Sequence, residues 1–189
     1  IGGFNDKTHQ WLGIQYGSIP NSEFRWKKAK VPDNWEGIKE SLNFGANCTQ
    51  RGSLINTTKR RDWGDMVGSE DCLYLNIWAP QMNPEELSDS SPLPVMVWIH
   101  GGSNVSGNAD LYDPSELAYQ HNLIVVTINY RLGPFGWFSH PSIKELSVDA
   151  MNASGNYGNI DTIQSLEWVQ SNIVNFGGDP SNITIFGES

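Results

Sequence analysis

The amino-acid sequence predicts an α/β fold with a largely parallel sheet. Three short runs of strand length, at 94–99, 123–128 and 183–186, are apolar at nearly every position. Such runs are typical of parallel strands whose two faces are both covered by helices. The segment 160–176 carries apolar residues at spacings of three and four, which predicts an amphipathic helix before the last of these strands. The alternation of strands and helices indicates a parallel arrangement.

Two further strands are predicted nearer the N-terminus. Residues 73–78 alternate in polarity and mix β-branched with aromatic side chains, and Pro80 ends the run. Residues 11–16 form a second candidate strand, followed by an irregular aromatic stretch. The segment 84–94 contains acidic residues and serines between prolines, which predicts an exposed loop.

A short crossover helix is predicted at 114–121, with Leu117 and Ala118 facing inward. Because a strand precedes it and another follows it, the three elements should form a right-handed parallel unit. The predicted strand 183–186 should be buried like the other two apolar runs.

The long helix of the second half should begin near Ile160, with Asn159 as its N-terminal cap. Gly177 and Gly178, followed by Pro180, should end it. Its predicted apolar stripe consists of Ile160, Ile163, Leu166, Val169, Ile173 and Phe176.

Composition narrows the classes of partner. The chain has 189 residues and a net charge of -9, which argues against nucleic acid or an anionic membrane as its main partner. No apolar run approaches the roughly 20 residues that span a bilayer. The two cysteines, Cys48 and Cys72, could form one disulfide or remain buried thiols, and composition leaves both alternatives open. No spacing typical of a structural zinc site occurs, so no metal is expected.

Two short motifs follow predicted strands and carry the candidate chemistry. His100-Gly101-Gly102-Ser103 follows 94–99, and Gly187-Glu188-Ser189 follows 183–186. A strand that leads into Gly-x-Ser is the first half of a nucleophile elbow. Glycines let the backbone turn its N–H groups toward an open pocket, where they can stabilise negative charge on a carbonyl oxygen. Together the motifs predict acyl transfer, with both at the carboxyl ends of the strands.

The chain resembles the N-terminal part of the type B carboxylesterases, the α/β-hydrolase family of cholinesterases and bacterial para-nitrobenzyl esterases. The resemblance covers nearly the whole chain in family order. The stretches that carry it are Gly13-Ile14-Gln15-Tyr16, Phe24-Arg25-Trp26, Asn47-Cys48-Thr49-Gln50, Ser69-Glu70-Asp71-Cys72-Leu73-Tyr74-Leu75-Asn76-Ile77-Trp78, Trp98-Ile99-His100-Gly101-Gly102, Asn129-Tyr130-Arg131-Leu132-Gly133, Gly155-Asn156-Tyr157-Gly158, Trp168-Val169, Asn172-Ile173 and Phe176-Gly177-Gly178-Asp179-Pro180.

The resemblance implies the fold and the catalytic roles. It implies an α/β-hydrolase fold with N-terminal antiparallel strands, of which residues 1–189 are the first part of a single catalytic domain. Ser189 matches the family's nucleophile, and the backbone N–H groups of Gly102 and Ser103 match two donors of its oxyanion hole. The third donor would follow Ser189, and the catalytic acid and histidine would come from later in the chain. No metal or organic cofactor is implied.

The resemblance also implies structural pairs. Cys48 and Cys72 match a family disulfide, which points to an extracellular or periplasmic location, with the cytoplasm not excluded. Arg25 with Glu70, and Arg131 with Asp161, match two buried ion pairs.

Some positions depart from the family pattern or match no catalytic role. Ser103 and Asn104 stand where many relatives have Gly or Ala followed by an aromatic residue, which makes the wall of the acyl pocket more polar. His100 is predicted to hold the loop that contains Gly101 by hydrogen bonding rather than to act as the base. Glu188 is not expected to be the catalytic acid.

Two functions therefore stand against each other. The first is hydrolysis of small carboxylic esters through an acyl-enzyme on Ser189, completed by the C-terminal remainder of the protein. The second is a non-catalytic adhesion or binding role, which some family members have after losing the serine. The presence of Ser189 favours the enzyme. Residues 1–189 alone are expected neither to fold stably nor to hydrolyse an activated ester.

Overall fold

The structure is a computed structural model that describes residues 1–19, 24–53, 56, 63–81 and 91–189. The predicted loop 84–94 therefore lies outside the described residues except at its last four positions. The strands are β1 (Gly3–Phe4), β2 (Thr8–Gln15), β3 (Gln50–Arg51), β4 (Met66–Val67), β5 (Tyr74–Pro80), β6 (Leu93–Ile99), β7 (Ile124–Ile128) and β8 (Gly178–Gly187). The α-helices are α1 (Ser115–His121), α2 (Gly133–Gly136), α3 (Pro141–Glu145) and α4 (Tyr157–Asn172), and a 3₁₀ turn (Ile173–Phe176) follows α4.

Six strands form one mixed sheet in the order β1-β2-β5-β7-β6-β8, and β3 pairs separately with β4. The pairings β1–β2, β2–β5 and β5–β7 are antiparallel, whereas β7–β6 and β6–β8 are parallel. The predicted α/β fold with N-terminal antiparallel strands is thus confirmed. Its parallel part begins at β7, beyond the antiparallel strands.

The two faces of the sheet are covered by different helices. Along β7, Ile124 and Val126 belong to the main core, which also contains Val169 of α4. Val125 faces the other way and packs with Ala118 of α1 in a second cluster. Because side chains alternate along a strand, an apolar run serves both clusters at once. All five residues of β7 are buried, as the sequence predicts for a covered strand.

The helices differ from prediction in detail. α1 begins after Pro114 and buries Ala118, as predicted. α4 begins at Tyr157, three residues before the predicted start, and Asn156 rather than Asn159 is its N-terminal cap residue. The predicted cap at Asn159 is wrong, because this residue lies inside the helix. The Asn156 side chain makes no cap hydrogen bond.

The predicted stripe of the long helix is right except at one position. Ile163 is 49% exposed, because the face of α4 that meets the sheet runs through Ile160, Val169 and the polar pair Gln164 and Ser165. Those polar residues are buried because their side chains hydrogen-bond to backbone carbonyls. The apolar pattern alone could not show that polar residues share the buried face.

The last strand is also less buried than predicted. β8 pairs only with β6 and lies at the edge of the sheet. Ile183 and Phe186 are partly buried, whereas Ile185 is 58% exposed. The apolar run correctly predicted a strand next to β6, but the prediction that this run is buried throughout is wrong at Ile185.

Five of the six cysteine and charged residues that match the family pairs line one small void: Arg25, Cys48, Glu70, Cys72 and Arg131. Cys48 and Cys72 form a disulfide. Arg131 donates to Asp161 through Nε at 2.7 Å and Nη2 at 2.8 Å, and both side chains are buried. Arg25 also pairs with Glu70, but about a third of each side chain is exposed, so the expectation of a buried pair is wrong there.

Candidate active site

The two candidate motifs leave the sheet side by side. β6 and β8 are parallel neighbours, and Ile99 at the end of β6 is in register with Gly187 at the end of β8. The chain therefore enters both motifs at the same edge of the sheet, as expected for the carboxyl ends of parallel strands. This pairing brings the glycine-rich loop after β6 next to Ser189.

Gly101 is the point of closest approach between the two motifs. A Cβ atom at Gly101 would collide with the carbonyl oxygen of Glu188 and would lie 2.5 Å from the carbonyl carbon of Ser189. Only a residue without a side chain fits between the two backbones, which is why a glycine is needed here.

The loop turns sharply after Gly101. Gly102 has a φ of 103°, and Ser103 and Asn104 have φ of 56° and 62°, in the left-handed region that is uncommon for residues other than glycine. The carbonyl of Gly102 accepts hydrogen bonds from the N–H groups of Val105 at 3.0 Å and Ser106 at 3.1 Å. Two consecutive non-glycine residues in this conformation mark a strained turn of the kind that clusters at functional sites.

A cavity of about 580 Å³ opens between the two motifs. Its volume is within the range of small-molecule sites. Its walls combine apolar side chains with the polar groups of Ser103, Asn104 and Ser189. The lining residues are Ile99, His100, Gly101, Ser103, Asn104, Tyr130, Ile185, Phe186, Gly187, Glu188 and Ser189.

His100 is held beneath the loop. The residue is 2% exposed, and its ring stacks on Tyr130 with ring centroids 4.4 Å apart. Nδ1 lies 2.9 Å from the carbonyl oxygen of Gly101, so Nδ1 carries the proton and donates it. Burial lowers the pKa of His100, against the opposing effect of the hydrogen bond to Gly101. Burial thus favours the neutral ring, and Nε2 is buried without a partner among the described residues.

Of the four histidines, only His100 lines this cavity. The residues of the candidate disulfide and ion pairs do not line this cavity. The disulfide, Arg25, Glu70 and Arg131 instead line a small void of about 10 Å³. Within the described ranges, no group of three or more His, Cys, Asp or Glu side chains is placed to hold a metal ion.

Comparison with known proteins identifies the family. A family model described as the carboxylesterase family matches residues 2–189. The chain belongs to the carboxylesterase family. This carboxylesterase-family chain is 42% identical over 187 residues to the para-nitrobenzyl esterase of Bacillus subtilis (strain 168), and 40% identical over 186 residues to the acylcarnitine hydrolase of Mus musculus.

Solved structures agree with this assignment. A thermophilic PNB esterase superposes with a TM-score of 0.84 at 40% identity, and another PNB esterase with a TM-score of 0.80 at 42% identity. Each match covers all of this chain and 36% of the solved chain. The two curated relatives are matched over 35% and 31% of their lengths, so this chain spans about a third of each. The α/β-hydrolase fold implied by the sequence is confirmed.

Three residues that bind the loop after β6 were not singled out by the sequence analysis. Tyr130 donates its hydroxyl to the carbonyl of His100 at 2.6 Å. Gly107 and Gln50 hydrogen-bond to each other on the far side of the loop. Tyr130 and Gln50 occur in motifs that match the family, but nothing local in the sequence shows which backbone groups they bind.

Proposed function

We propose that the polypeptide containing this chain hydrolyses carboxylic esters through an acyl-enzyme on Ser189. The observation that carries the proposal is the contact of Gly101 with the backbone of Ser189. Ser103 and Ser189 also line the same cavity, whose volume is large enough for a small ester, and this supports the proposal. Family membership and relatives named as esterases support the same reaction class.

The reaction follows from these groups. Ser189 Oγ attacks the ester carbonyl carbon, its proton passes to a base, and the carbonyl electron pair moves onto oxygen. The N–H groups of Gly102 and Ser103 donate to that oxyanion, and each such donor is worth about 3 kcal/mol in the transition state. The alcohol leaves with a proton, and water then releases the acid from Ser189 by the same steps.

We assign the remaining catalytic groups to polypeptide outside residues 1–189. His100 is an unsuitable base, because its Nδ1–H is bonded to Gly101 and its Nε2 is buried. A histidine, an acidic residue and a third N–H donor from the residue after Ser189 complete the site. Residues 1–189 are then the N-terminal part of a single catalytic domain.

The surroundings of the site suggest further properties. The disulfide between Cys48 and Cys72 supports an oxidising compartment, either extracellular or periplasmic. No helix in the described part of the chain is long and apolar enough to cross a membrane. Asn104 gives one wall of the cavity a polar amide, so we expect acyl groups that carry a hydrogen-bonding substituent to be accepted.

Replacement of the nucleophile tests the proposal. Ser189→Ala in the full-length polypeptide should reduce hydrolysis of para-nitrophenyl acetate by several orders of magnitude, because the acyl-enzyme can no longer form. Ser171→Ala, at an exposed position of α4, is the control and should keep full activity. Equal turnover by the wild type and Ser189→Ala would refute the proposal.

A further inference from the structure

Gln50 has a buried side-chain amide whose hydrogen bonds are all accounted for. The side chain lies in β3 and the residue is 3% exposed. Its Oε1 accepts from the N–H of Gly107 at 2.8 Å, and its Nε2 donates to the carbonyl of the same residue at 2.8 Å. The amide therefore pairs with both backbone groups of one residue, as a neighbouring strand would.

The remaining hydrogen-bonding capacity of the amide is used as well. Oε1 also accepts from Nδ2 of Asn56 at 2.7 Å, and Nε2 also donates to the carbonyl of Cys48 at 3.0 Å. A primary amide offers two donors and two acceptor lone pairs, so all four are occupied. Full occupancy fixes the orientation of Gln50 and anchors it to the backbone of the disulfide-bonded Cys48.

Gly107, which Gln50 binds, packs against the start of the loop beside Ser189. Its φ is 115°, and a Cβ atom there would collide with Nδ1 of His100 and lie 2.5 Å from the carbonyl oxygen of Gly101. Gly107 therefore lies directly against the two residues that begin the glycine-rich loop. Gly101 in turn touches the backbone of Ser189. A shift of Gly107 must move the loop or open a gap beneath it.

We propose that Gln50 is a positioning residue that fixes the loop 101–107, so that the N–H groups of Gly102 and Ser103 point at the developing oxyanion. Gln50 does not line the cavity and acts only through Gly107. This inference rests on the proposed ester hydrolysis for its kinetic consequences, but its structural consequence can be measured without any turnover.

Gln164 provides a matched control. It is also a glutamine with 3% exposure, and its Nε2 donates to the carbonyls of Tyr16 at 3.1 Å and Lys30 at 3.4 Å. It lies in α4 and does not line the cavity. Loss of either amide leaves buried backbone groups unpaired, so both substitutions should lower stability. Only the loss of Gln50 should change the loop.

The kinetic experiment uses Gln50→Met, Gln50→Glu and Gln164→Met in the full-length polypeptide with para-nitrophenyl acetate. Methionine keeps the length of the side chain without its hydrogen bonds, and glutamate loses both donors. We expect both Gln50 variants to lower kcat by about 10- to 100-fold with KM within twofold, because misplaced donors weaken only transition-state binding. Gln164→Met should lower Tm and leave kcat unchanged. If kcat of both Gln50 variants stays within twofold of the wild type, Gln50 has no positioning role.

Hydrogen exchange separates this inference from the proposed function. Backbone amides of 101–107 should exchange faster in Gln50→Met than in the wild type and at the wild-type rate in Gln164→Met, whether or not any ester is hydrolysed. If the wild type hydrolyses no ester but the three proteins differ in exchange as expected, the proposed esterase function is refuted and the positioning role of Gln50 is retained. Unchanged exchange of these amides in both Gln50 variants would refute the positioning role of Gln50.

Discussion

The two loops that meet at the cavity differ in how they are held. The loop after β6 is bonded from three directions: Gln50 binds Gly107, Tyr130 binds the carbonyl of His100, and Gly133 donates to the carbonyl of Asn104 at 2.7 Å. The residues after β8, in contrast, are exposed at the edge of the sheet.

The two loops are therefore expected to respond differently to substitution. The loop after β6 is held by hydrogen bonds from within residues 1–189, so the proposed oxyanion site is preformed. Within residues 1–189, the segment that leads to Ser189 is held by the pairing of β8 with β6. Substitution of residues that hold the loop after β6 should therefore lower both stability and the rate of ester hydrolysis. Substitution of Ser189 should lower the rate alone.

The largest expected effect is on stability, at the buried ion pair of Arg131 and Asp161. Arg131 precedes the segment that binds Asn104, and its partner Asp161 is fully buried. Asp161→Asn should lower the free energy of unfolding by about 3–5 kcal/mol, because it leaves the Arg131 guanidinium buried and uncompensated. Urea denaturation of the full-length polypeptide measures the change.

Glu70→Gln is the control for that substitution. Its partner Arg25 and Glu70 itself are about one-third exposed, so water screens their interaction. The control should change the free energy of unfolding far less than Asp161→Asn. Equal losses in the two variants would contradict the distinction between the buried and the exposed pair.

The next effect is on rate, at the contact between the two loops. Gly101→Ala should lower kcat/KM by about 100-fold, because the new methyl group must push the loop away from the backbone of Ser189. Gly3→Ala is the matched control, since a Cβ there meets only the Leu42 side chain, at 3.5 Å. Steady-state kinetics with an activated ester measure both. Wild-type kinetics in Gly101→Ala would show that the two loops are not in contact.

The smallest effect is a pH dependence at the base of the first loop. Burial lowers the pKa of His100 below its ordinary value of 6.5. The unfolded chain therefore binds a proton at a higher pH than the folded chain does, and stability falls as pH drops below about 6.5. His100→Asn should flatten this part of the stability curve in urea denaturation at pH 8 and pH 5. A stability curve for His100→Asn as steep as that of the wild type in this pH range would contradict the expectation.

The sequence predicted those parts of the fold that depend on contiguous or periodic apolar residues. β6, β7 and α1 lie within two residues of their predicted bounds, because covered strands and a helix beside them need apolar residues in these patterns. The exposure of Ile163 and Ile185 was not predicted, because it depends on which elements cover α4 and β8 rather than on the residues themselves.

The same limit applies to the site. Gly102, Ser103 and Ser189 could be singled out because strand, glycine and serine follow one another along the chain. Gln50 and Gly107 are 57 residues apart, and only the folded chain shows that one amide binds both backbone groups of the other. The partial exposure of Arg25 and Glu70 likewise depends on packing that no local pattern encodes.

Covalent labelling shows whether Ser189 is an activated nucleophile. The full-length polypeptide would be treated with a fluorophosphonate, which phosphonylates activated serines, then digested and analysed by mass spectrometry. We expect one adduct, on Ser189, formed more slowly in Gln50→Met because the same donors stabilise the attacked phosphoryl oxygen. An adduct on another residue, or none on Ser189, would contradict this prediction.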